Sequence, residues 1–547
     1  MLARGRTAQI GAALLVAGPL GVIVCAGAGL WLGVPIGRLT LPVGWLLGTA
    51  LVVFGAQART LRWRAGAALA VAAAVLVAGV LADRILDSSY DGQGYHQGTI
   101  LRLAAGWNPF TAHDPLSDDS YRTWGEHFPA SSWLFGAAVL RATGRLEAGK
   151  VLSLILACAA ALALFAALTR VPGLVRRRAT LIAALGAFNP IVLCQLTSYY
   201  VDGLLASTLL VAAAGAATLP LDPLLAALLA GGGLVLAATV KFSGAVFAVL
   251  LVGSALLLRG ALARHRRWIA GTAAASVVVG VMLAWHPYVT NLRIHAHPLY
   301  PLSQVSARLM DDNLPAAFLA GGQAEKLLIA TFSRASNDMT RMPSLKPPLW
   351  VAPSELVAYT ADTRVGGFGP LFAAACLLAL ALAVAVVRRA PAARRWLALG
   401  GLFAFASAVV MPHCWWARYC PQLWWVPVLV LAAAWCDPAT ARLRLSPYLA
   451  ALLVANLGLV SLGRARNELW SQGQIRAQLA ALPRDRPVRL GVHQLEAMVW
   501  RWGDAGLDVR SVPLADCRDG AAVPSSGNRV CRDAPLLGGR GLAHPIR

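Results

Sequence analysis

Long apolar segments alternate with short polar connections over most of the chain, from the N-terminus to about residue 463. An α-helix needs about 20 mainly apolar residues to cross the hydrocarbon core of a bilayer. By this criterion the pattern predicts an α-helical polytopic membrane protein with about 13 transmembrane helices. The predicted helices cover residues 8–30, 40–57, 65–83, 147–168, 179–196, 203–219, 223–240, 244–258, 268–287, 368–387, 396–412, 421–436 and 446–463.

Arginine residues collect in nearly every second connection between these helices, for example at residues 176–178 and 388–395. Short cytoplasmic loops carry an excess of Lys and Arg, so these connections are predicted to face the cytoplasm. Of the 25 acidic residues, Asp222 and Asp437 alone fall in the predicted cytoplasmic loops. The remaining acidic residues are therefore expected on the outer side or at its rim.

The outer side receives the larger polar parts of the chain. Within a membrane module at residues 1–463, the outer loops are expected at residues 84–146 and 288–367. A tail at residues 464–547 follows, and its segments PVRLGVH, QLEAMVWRWGDAG and DVRSVPL predict a strand, a helix and a strand. The tail is therefore expected to be a small extracytoplasmic α/β C-terminal domain. Cys517 and Cys531 in this tail form either a disulfide or two free thiols.

Composition supports the membrane class and argues against nucleic acid as a partner. Hydrophobic residues make up 58% of the 547 positions and charged residues 13%, which is too apolar for a soluble protein of this size. The net charge of +23 comes from short Arg clusters between apolar segments, and membrane topology accounts for these clusters better than a binding face does.

Asp87 and Asp91 follow the third predicted helix in the stretch ILDSSYDGQGYH. Four residues apart, they would share one helix face, where partial desolvation and mutual repulsion raise the pKa of at least one of them. A carboxylate in that state is a candidate general base. The alternatives are a solvated helix end and a metal site formed with His96.

Three further charged residues lie at the outer ends of apolar helices. Asp202 follows two tyrosines in SYYVDG, where it is a catalytic candidate or a helix cap. Lys241, one of four lysines, is surrounded by apolar residues and is either a functional cation or a snorkelling side chain. Arg418 lies between Trp416 and Tyr419 in WWARYC, and its planar guanidinium suits a phosphate.

Other outer stretches add polar residues to the same rim. Glu126 and His127 precede an amphipathic stretch that is predicted to lie on the membrane surface. Arg293, His295 and His297 lie in a segment rich in aromatic residues and proline, where the two histidines either bind metal or have a structural role. Carboxylates, cations and aromatic rings at one rim suit a reaction on an amphiphilic substrate with an anionic headgroup.

The sequence resembles the GT-C superfamily of integral membrane glycosyltransferases over most of residues 65–440. The resemblance is carried by an acidic first outer loop with a tyrosine one turn later, Asp91-Gly-Gln-Gly-Tyr95, followed by Gly106-Trp107-Asn108-Pro109. The stretches YYVDG, HPLYPL and WWARYCPQLW are also similar to members of this superfamily. The chain departs from the adjacent acid pair common in the family, because Gly92 follows Asp91.

The resemblance implies a GT-C-like fold and transfer of a sugar from a polyprenyl-phosphate donor to an acceptor hydroxyl, with inversion. Asp91 is then the base, Asp87 or Asp202 assists, and Lys241 and Arg418 stabilise the phosphate. The other implied substrate-binding residues are Tyr95, His96, Glu126, His127, Tyr200, Arg293, His297, Trp416 and Tyr419.

The same resemblance implies a bacterial cytoplasmic membrane protein whose active site faces the periplasm. Its expected partners are the donor lipid, membrane lipids and a glycan, lipid or protein acceptor, without nucleic acid. No cofactor is certain, and a divalent metal stays open. The alternative functions are a lipid-linked polysaccharide polymerase or ligase, and a lipid or polysaccharide transporter without catalysis.

Overall fold

The computed structural model describes residues 2–57, 59–111, 120–257, 265–302, 313–492, 497–517, 520–523 and 528–531. Helices dominate the described part of the chain. The first half contains α1 (Leu2–Trp31), α2 (Thr40–Gly55), α3 (Leu61–Asp83), α4 (Gln97–Ala104), α5 (Ser120–His127), α6 (Ser131–Thr143), α7 (Val151–Leu168), α8 (Arg176–Ala187), α9 (Pro190–Gln195), α10 (Asp202–Ala217), α11 (Pro223–Val240) and α12 (Phe242–Leu256).

The second half continues with longer helices and several short ones. They are α13 (Arg266–Ala284), α14 (Thr290–His295), α15 (Gln323–Phe332), α16 (Pro353–Leu356), α17 (Phe372–Arg389), α18 (Pro391–Val410), α19 (Trp425–Cys436), α20 (Pro438–Ala441), α21 (Leu445–Ala481) and α22 (Ala497–Asp504). A short π-helix, Gly92–His96, precedes α4, and 3₁₀ helices occur at Glu147–Lys150 and Ala417–Tyr419.

Within the described ranges, eight helical stretches are long and apolar enough to cross a membrane. They are Ala3–Trp31, Leu61–Asp83, Glu147–Leu168, Pro223–Val240, Arg266–His295, Phe372–Arg389, Ala393–Val410 and Leu445–Ala481. Thr40–Gly55, Asp202–Ala217, Phe242–Leu256 and Pro421–Cys436 are apolar but shorter. The chain is a multi-pass membrane protein, and the number of 13 spans stays a prediction.

The predicted span at residues 179–196 is interrupted in the structure. The side chain of Asn189 accepts a hydrogen bond from the Val192 N–H at 3.0 Å, which caps the start of α9. Pro190 occupies the first position of α9, where a helix loses nothing from its missing N–H. The apolar pattern is therefore continuous, while the helix is divided into α8 and α9 by a local capping signal.

The first half of the bundle packs around α1, which contacts α2, α7 and α11. Helices α1 and α2 approach closely through small residues, because a Cβ atom at Gly48 would lie 1.9 Å from the carbonyl oxygen of Ala17. A second apolar core joins α8, α17, α19 and α21.

The prediction that the stretch after His127 lies on the membrane surface is wrong. Residues Ser131–Leu140 of α6 are all buried, and the helix packs against α1 and α4. Bulky apolar side chains such as Trp133 and Phe135 point to different sides of α6, and a helix that is apolar all round is stable inside a protein.

The C-terminal region confirms the predicted strand, helix and strand. Strands β1 (Val488–Val492) and β2 (Val509–Pro513) are parallel, with α22 between them in sequence. Two short strands, β3 (Ala521–Ala522) and β4 (Arg529–Val530), complete a sheet of order β2-β1-β4-β3. A disulfide joins Cys517 to Cys531. Helix α21 continues past Gly463, the predicted end of the membrane module, and leads directly toward this sheet.

Candidate functional site

Arg418 is the meeting point of three acidic side chains from distant parts of the chain. It projects from the 3₁₀ helix Ala417–Tyr419, and its Nη1 atom lies 3.1 Å from Asp91 Oδ2 and 3.5 Å from Asp202 Oδ2. Its Nε atom lies 2.9 Å from Asp362 Oδ1, a close ion pair whose angles do not meet hydrogen-bond criteria. One guanidinium therefore holds three carboxylates together.

Lys241 joins this group from the break between α11 and α12. It is an extended residue between two helices, with φ −153° and ψ 145°, and its Nζ atom pairs with Asp202 Oδ1. Asp202 begins α10 and also accepts a hydrogen bond from Gln195 Nε2 at 3.1 Å. The side chains of Lys241 and Asp202 are 12% and 1% exposed. We call Asp91, Asp202, Lys241, Asp362 and Arg418 the Arg418 cluster.

Sequence reasoning missed Asp362, which lies in the loop between α16 and α17. Its Oδ2 atom lies 3.2 Å from Arg364 Nη2, and the Arg364 guanidinium stacks over the Trp416 ring at 4.0 Å. With Arg364 included, the three carboxylates of the site are balanced by three cations, Lys241, Arg364 and Arg418. An acid and a base in a polar loop look like solvated residues in the sequence, so no local pattern marks this pair.

Burial and ion pairing act in opposite directions on the charged groups of this site. Burial alone would lower the pKa of Arg418, but Asp362, Tyr419 and Asp202 outweigh it and raise the pKa well above its ordinary value. Burial raises the pKa of Asp362, while Arg418 and Arg364 oppose that shift. Arg418 therefore stays charged, and Asp362 takes up a proton more readily than a solvated aspartate does.

Aromatic rings surround the cations of the cluster. The Arg418 guanidinium carbon lies 4.4 Å from the Trp416 ring centre, 4.9 Å from that of Tyr419 and 5.0 Å from that of Tyr200. Lys241 Nζ lies 4.4 Å from the Tyr419 ring centre. Cation–π attraction strengthens as water is excluded, so these rings help to hold both cations.

The π-helix after Asp91 carries Tyr95 and His96 to the cluster. His96 Nδ1 accepts a hydrogen bond from Trp133 Nε1 at 2.7 Å, and because an indole N–H can only donate, the imidazole proton resides on Nε2. Burial lowers the pKa of His96 to about 4, so the ring is neutral at pH 7. Nε2 is buried and has no hydrogen-bond partner among the described residues. Burial and the nearby Asp91 raise the pKa of Tyr95.

Asp87 lies apart from the Arg418 cluster, and the prediction that it shares a helix face with Asp91 is wrong. The chain is not helical at Asp87, whose two oxygens accept the N–H groups of Ser89 at 2.8 Å and Tyr199 at 2.7 Å. Burial raises the pKa of Asp87, Lys150 opposes this shift, and Glu147 rather than Asp91 adds to it. Arg501 donates to the Asp87 carbonyl and to Glu147, which also pairs with Lys150. We call Asp87, Glu147, Lys150 and Arg501 the Arg501 network.

Glu126 and His127 line a separate cleft with a volume of about 140 Å³, together with Phe110 and His286. His127 Nδ1 lies 2.7 Å from Asn291 Oδ1, which fixes the imidazole at the edge of this cleft. The cleft bordering Arg418 has a volume of about 10 Å³, which is too small for a sugar phosphate unless side chains there move.

Arg293 and His297 lie outside both clefts. Arg293 is exposed and stacks over Trp285 at 4.9 Å, and His297 Nδ1 accepts the Leu299 N–H at 3.2 Å. In the part of the chain that the structure describes, no three His, Cys, Asp or Glu side chains are placed to hold a metal ion. Asp87, Asp91 and His96 in particular point to different partners.

Comparisons with known proteins find similarity among solved structures. No family model matches the chain, and no curated protein matches its sequence. The chain is similar to the crystal structure of ArnT from Cupriavidus metallidurans bound to undecaprenyl phosphate, with 17% identity over 81% of this chain and 85% of that one. The TM-score is 0.36, which is too low to support an argument about function. The function is therefore argued from the Arg418 cluster itself.

Proposed function

We propose that the protein is a GT-C-type membrane glycosyltransferase that moves a sugar from a polyprenyl-phosphate donor to an acceptor hydroxyl, with inversion. The observation that carries the proposal is the convergence of Asp91, Lys241 and Arg418 on one largely buried group at helix ends, together with Asp202. Desolvated charges are costly, and in a membrane protein they mark a functional site by default.

Unused hydrogen-bond donors in this group support binding of a phosphate. Lys241 donates one of its three N–H groups to Asp202, and Arg418 Nη2 has only a long contact of 3.4 Å to the Tyr419 hydroxyl among the described residues. The leaving phosphate gains negative charge in the transition state. Cations that are already held in place stabilise this charge without reorganisation.

Asp91 is the proposed general base. Its side chain is 22% exposed, against 1% for Asp202, so an acceptor can reach it more easily. Asp91 takes the proton of the acceptor hydroxyl while the hydroxyl oxygen bonds to the anomeric carbon. The bond from that carbon to the phosphate oxygen breaks, and the phosphate leaves with the electron pair. Asp202 positions Lys241, and Asp362 positions Arg418.

Neutral groups around the cluster are proposed to bind the sugar. His96 Nε2–H and the hydroxyl of Tyr200 are buried without hydrogen-bond partners among the described residues, which suits them to ring hydroxyls or phosphate oxygens. Tyr95, Trp416 and Tyr419 supply aromatic faces of the kind that stack on sugars.

The Glu126 and His127 cleft is proposed to receive the acceptor. It is the larger of the two clefts described. Phe128, the residue after His127, has its ring 6.1 Å from that of Tyr95, which connects this side of the cleft to the π-helix that follows Asp91. Arg293 and His297 are left out of the proposed site, and Asp87 is given a positioning role. The site is proposed to face the periplasm of a bacterial cytoplasmic membrane, with a glycan, lipid or protein as acceptor.

The distribution of the cluster along the sequence favours this function over a polysaccharide polymerase or ligase. Those enzymes are expected to place their key residues in one large late loop. Of the cluster, Asp362 alone comes from the loop at residues 288–367, while Asp91, Asp202 and Lys241 precede it.

A panel of polyprenyl-phosphate sugars tests the proposal. The purified protein is incubated with each donor and an acceptor mixture, and the release of polyprenyl phosphate is measured. We expect release from at least one donor by the wild-type protein. Absence of release from every donor, with the protein folded in a lipid bilayer, contradicts the proposed function.

A further inference from the structure

The segment that leads to Asp91 has almost no regular structure of its own. Residues 86–89 belong to neither helix nor strand, between the end of α3 and the π-helix Gly92–His96. Buried backbone N–H and C=O groups need hydrogen-bond partners, and here they cannot come from a helix or sheet. Their partners therefore decide where Asp91 lies.

Side chains from the C-terminal region supply many of these partners. Arg476 Nη2 donates to the Arg84 carbonyl at 2.7 Å. Gln472 binds both polar groups of Leu86, accepting its N–H at 3.0 Å and donating to its carbonyl at 2.6 Å. Two side chains of α21 thus supply hydrogen-bond partners to the backbone at Arg84 and Leu86.

Arg501 of α22 completes this hold from the C-terminal domain. Its Nη2 atom donates to the Asp87 carbonyl at 2.8 Å and to Glu147 Oε1 at 2.7 Å, and its Nη1 atom donates to Gln93 Oε1 at 3.2 Å. Arg501 is 6% exposed although it belongs to a domain outside the helical bundle. Its contacts lie on both sides of Asp91 in sequence, at Asp87 and Gln93.

We propose that Gln472 and Arg501 are positioning residues that hold Asp91 toward Arg418, so that the C-terminal region forms part of the active site. The catalytic part of this proposal rests on the proposed function, while its structural part does not. Helix α21 also contacts the segment that leads to Asp202, because Glu468 of α21 accepts a hydrogen bond from Thr197 at 3.0 Å. The segments that carry Asp91 and Asp202 are therefore both hydrogen-bonded to α21.

Hydrogen exchange in the full-length protein tests the structural part. In Gln472→Leu and in Arg501→Met, amide exchange across residues 84–97 should rise by about tenfold or more, since the partners of buried backbone groups are lost. Gln478→Leu and Arg484→Met are matched controls, because these side chains bond to Ala522 and Ala505 within the C-terminal region and should leave residues 84–97 unchanged. Unchanged exchange in both test variants would overturn the proposal, whatever their activity.

Turnover tests the catalytic part. With any donor that the wild-type protein uses, both test variants should lower kcat by about 10- to 100-fold, because small misplacement of a catalytic group is costly. KM for the donor should stay within about threefold, since Lys241 and Arg418 lie on other segments. Arg501→Lys should recover part of kcat by keeping the contact to Glu147. Faster exchange with unchanged kcat would overturn the positioning role. A wild-type protein that is inactive on every donor would refute the proposed function. In that case the exchange result alone decides the structural part of the proposal.

Discussion

The Arg418 cluster and the Arg501 network contain the same kinds of side chain but differ in how far their charged groups are exposed. In the network, Glu147 accepts hydrogen bonds from Lys150 at 2.7 Å, Arg501 at 2.7 Å and Gln97 at 3.2 Å, and Lys150 is fully buried. In the cluster, Asp91 and Arg418 remain 22% and 11% exposed, and Lys241 keeps unused donors.

This difference indicates two roles for buried charged groups, a structural role in the Arg501 network and a ligand-binding role in the Arg418 cluster. A network that is buried from solvent and linked by several hydrogen bonds does not admit a ligand. Removal of one member leaves its partners without compensation, so the network stabilises one conformation. A cluster with spare donors beside a cleft can exchange one partner for another, which a substrate requires. Exposure, rather than residue type, therefore distinguishes the structural group from the proposed catalytic one.

The largest effect on stability is expected in the network. Lys150→Met leaves Glu147 with Arg501 and removes the donor to the Ile85 carbonyl, so the free energy of unfolding should fall by about 3 to 5 kcal/mol. Thermal or denaturant unfolding in lipid or detergent measures this loss. Lys326→Ala, at a partly exposed position of α15, is the control. Equal stability of the two variants would contradict the distinction between the two regions.

A smaller effect, on binding rather than folding, is expected in the cluster. Lys241→Ala should weaken the affinity for polyprenyl phosphate by about 10- to 100-fold, which is about 1.4 to 2.7 kcal/mol. Its stability should fall less than that of Lys150→Met, because Asp202 keeps Gln195 and Arg418 as partners. Titration with the lipid measures the affinity, and unchanged binding would place the phosphate elsewhere.

The smallest effect concerns pH. Unfolded His96 binds a proton below pH 6.5, whereas the folded protein holds it neutral down to about pH 4. Between these values the unfolded state binds more protons, so stability falls as the pH is lowered. His96→Gln should remove about 1 kcal/mol of the loss between pH 6.5 and pH 5.5. If the stability of the wild-type protein and that of His96→Gln depend on pH in the same way, His96 is not a buried neutral group.

Sequence periodicity predicted most of the helices because their apolar length is a local property. It did not predict the division of residues 179–196, where Asn189 and Pro190 start a new helix. It also placed Asp87 on a helix face, although the Asp87 carboxylate binds the N–H groups of Ser89 and Tyr199 instead of continuing the helix. Side chains that compete with backbone hydrogen bonds are the reason in both cases.

Candidate site residues were predictable where an unusual charge interrupts an apolar stretch, as at Lys241 and Arg418. Asp362 lies in a polar loop and Arg501 in a short amphipathic helix, where a charged residue is ordinary, so their contacts appear only when the chain is folded. Glu126 and His127 were predicted from their position at the rim, but their distance from Arg418 depends on the folding of the whole chain and has no local signal.

The release of polyprenyl phosphate by Asp91→Asn tests the central claim most directly. Loss of a general base should lower the rate per folded molecule by about 100- to 1,000-fold, with an unfolding temperature close to that of the wild-type protein. Asp338→Asn, which changes a carboxylate that is 40% exposed in the loop between α15 and α16, should retain the wild-type rate. Near-normal release by folded Asp91→Asn would contradict the assignment of the Arg418 cluster as the site of sugar transfer.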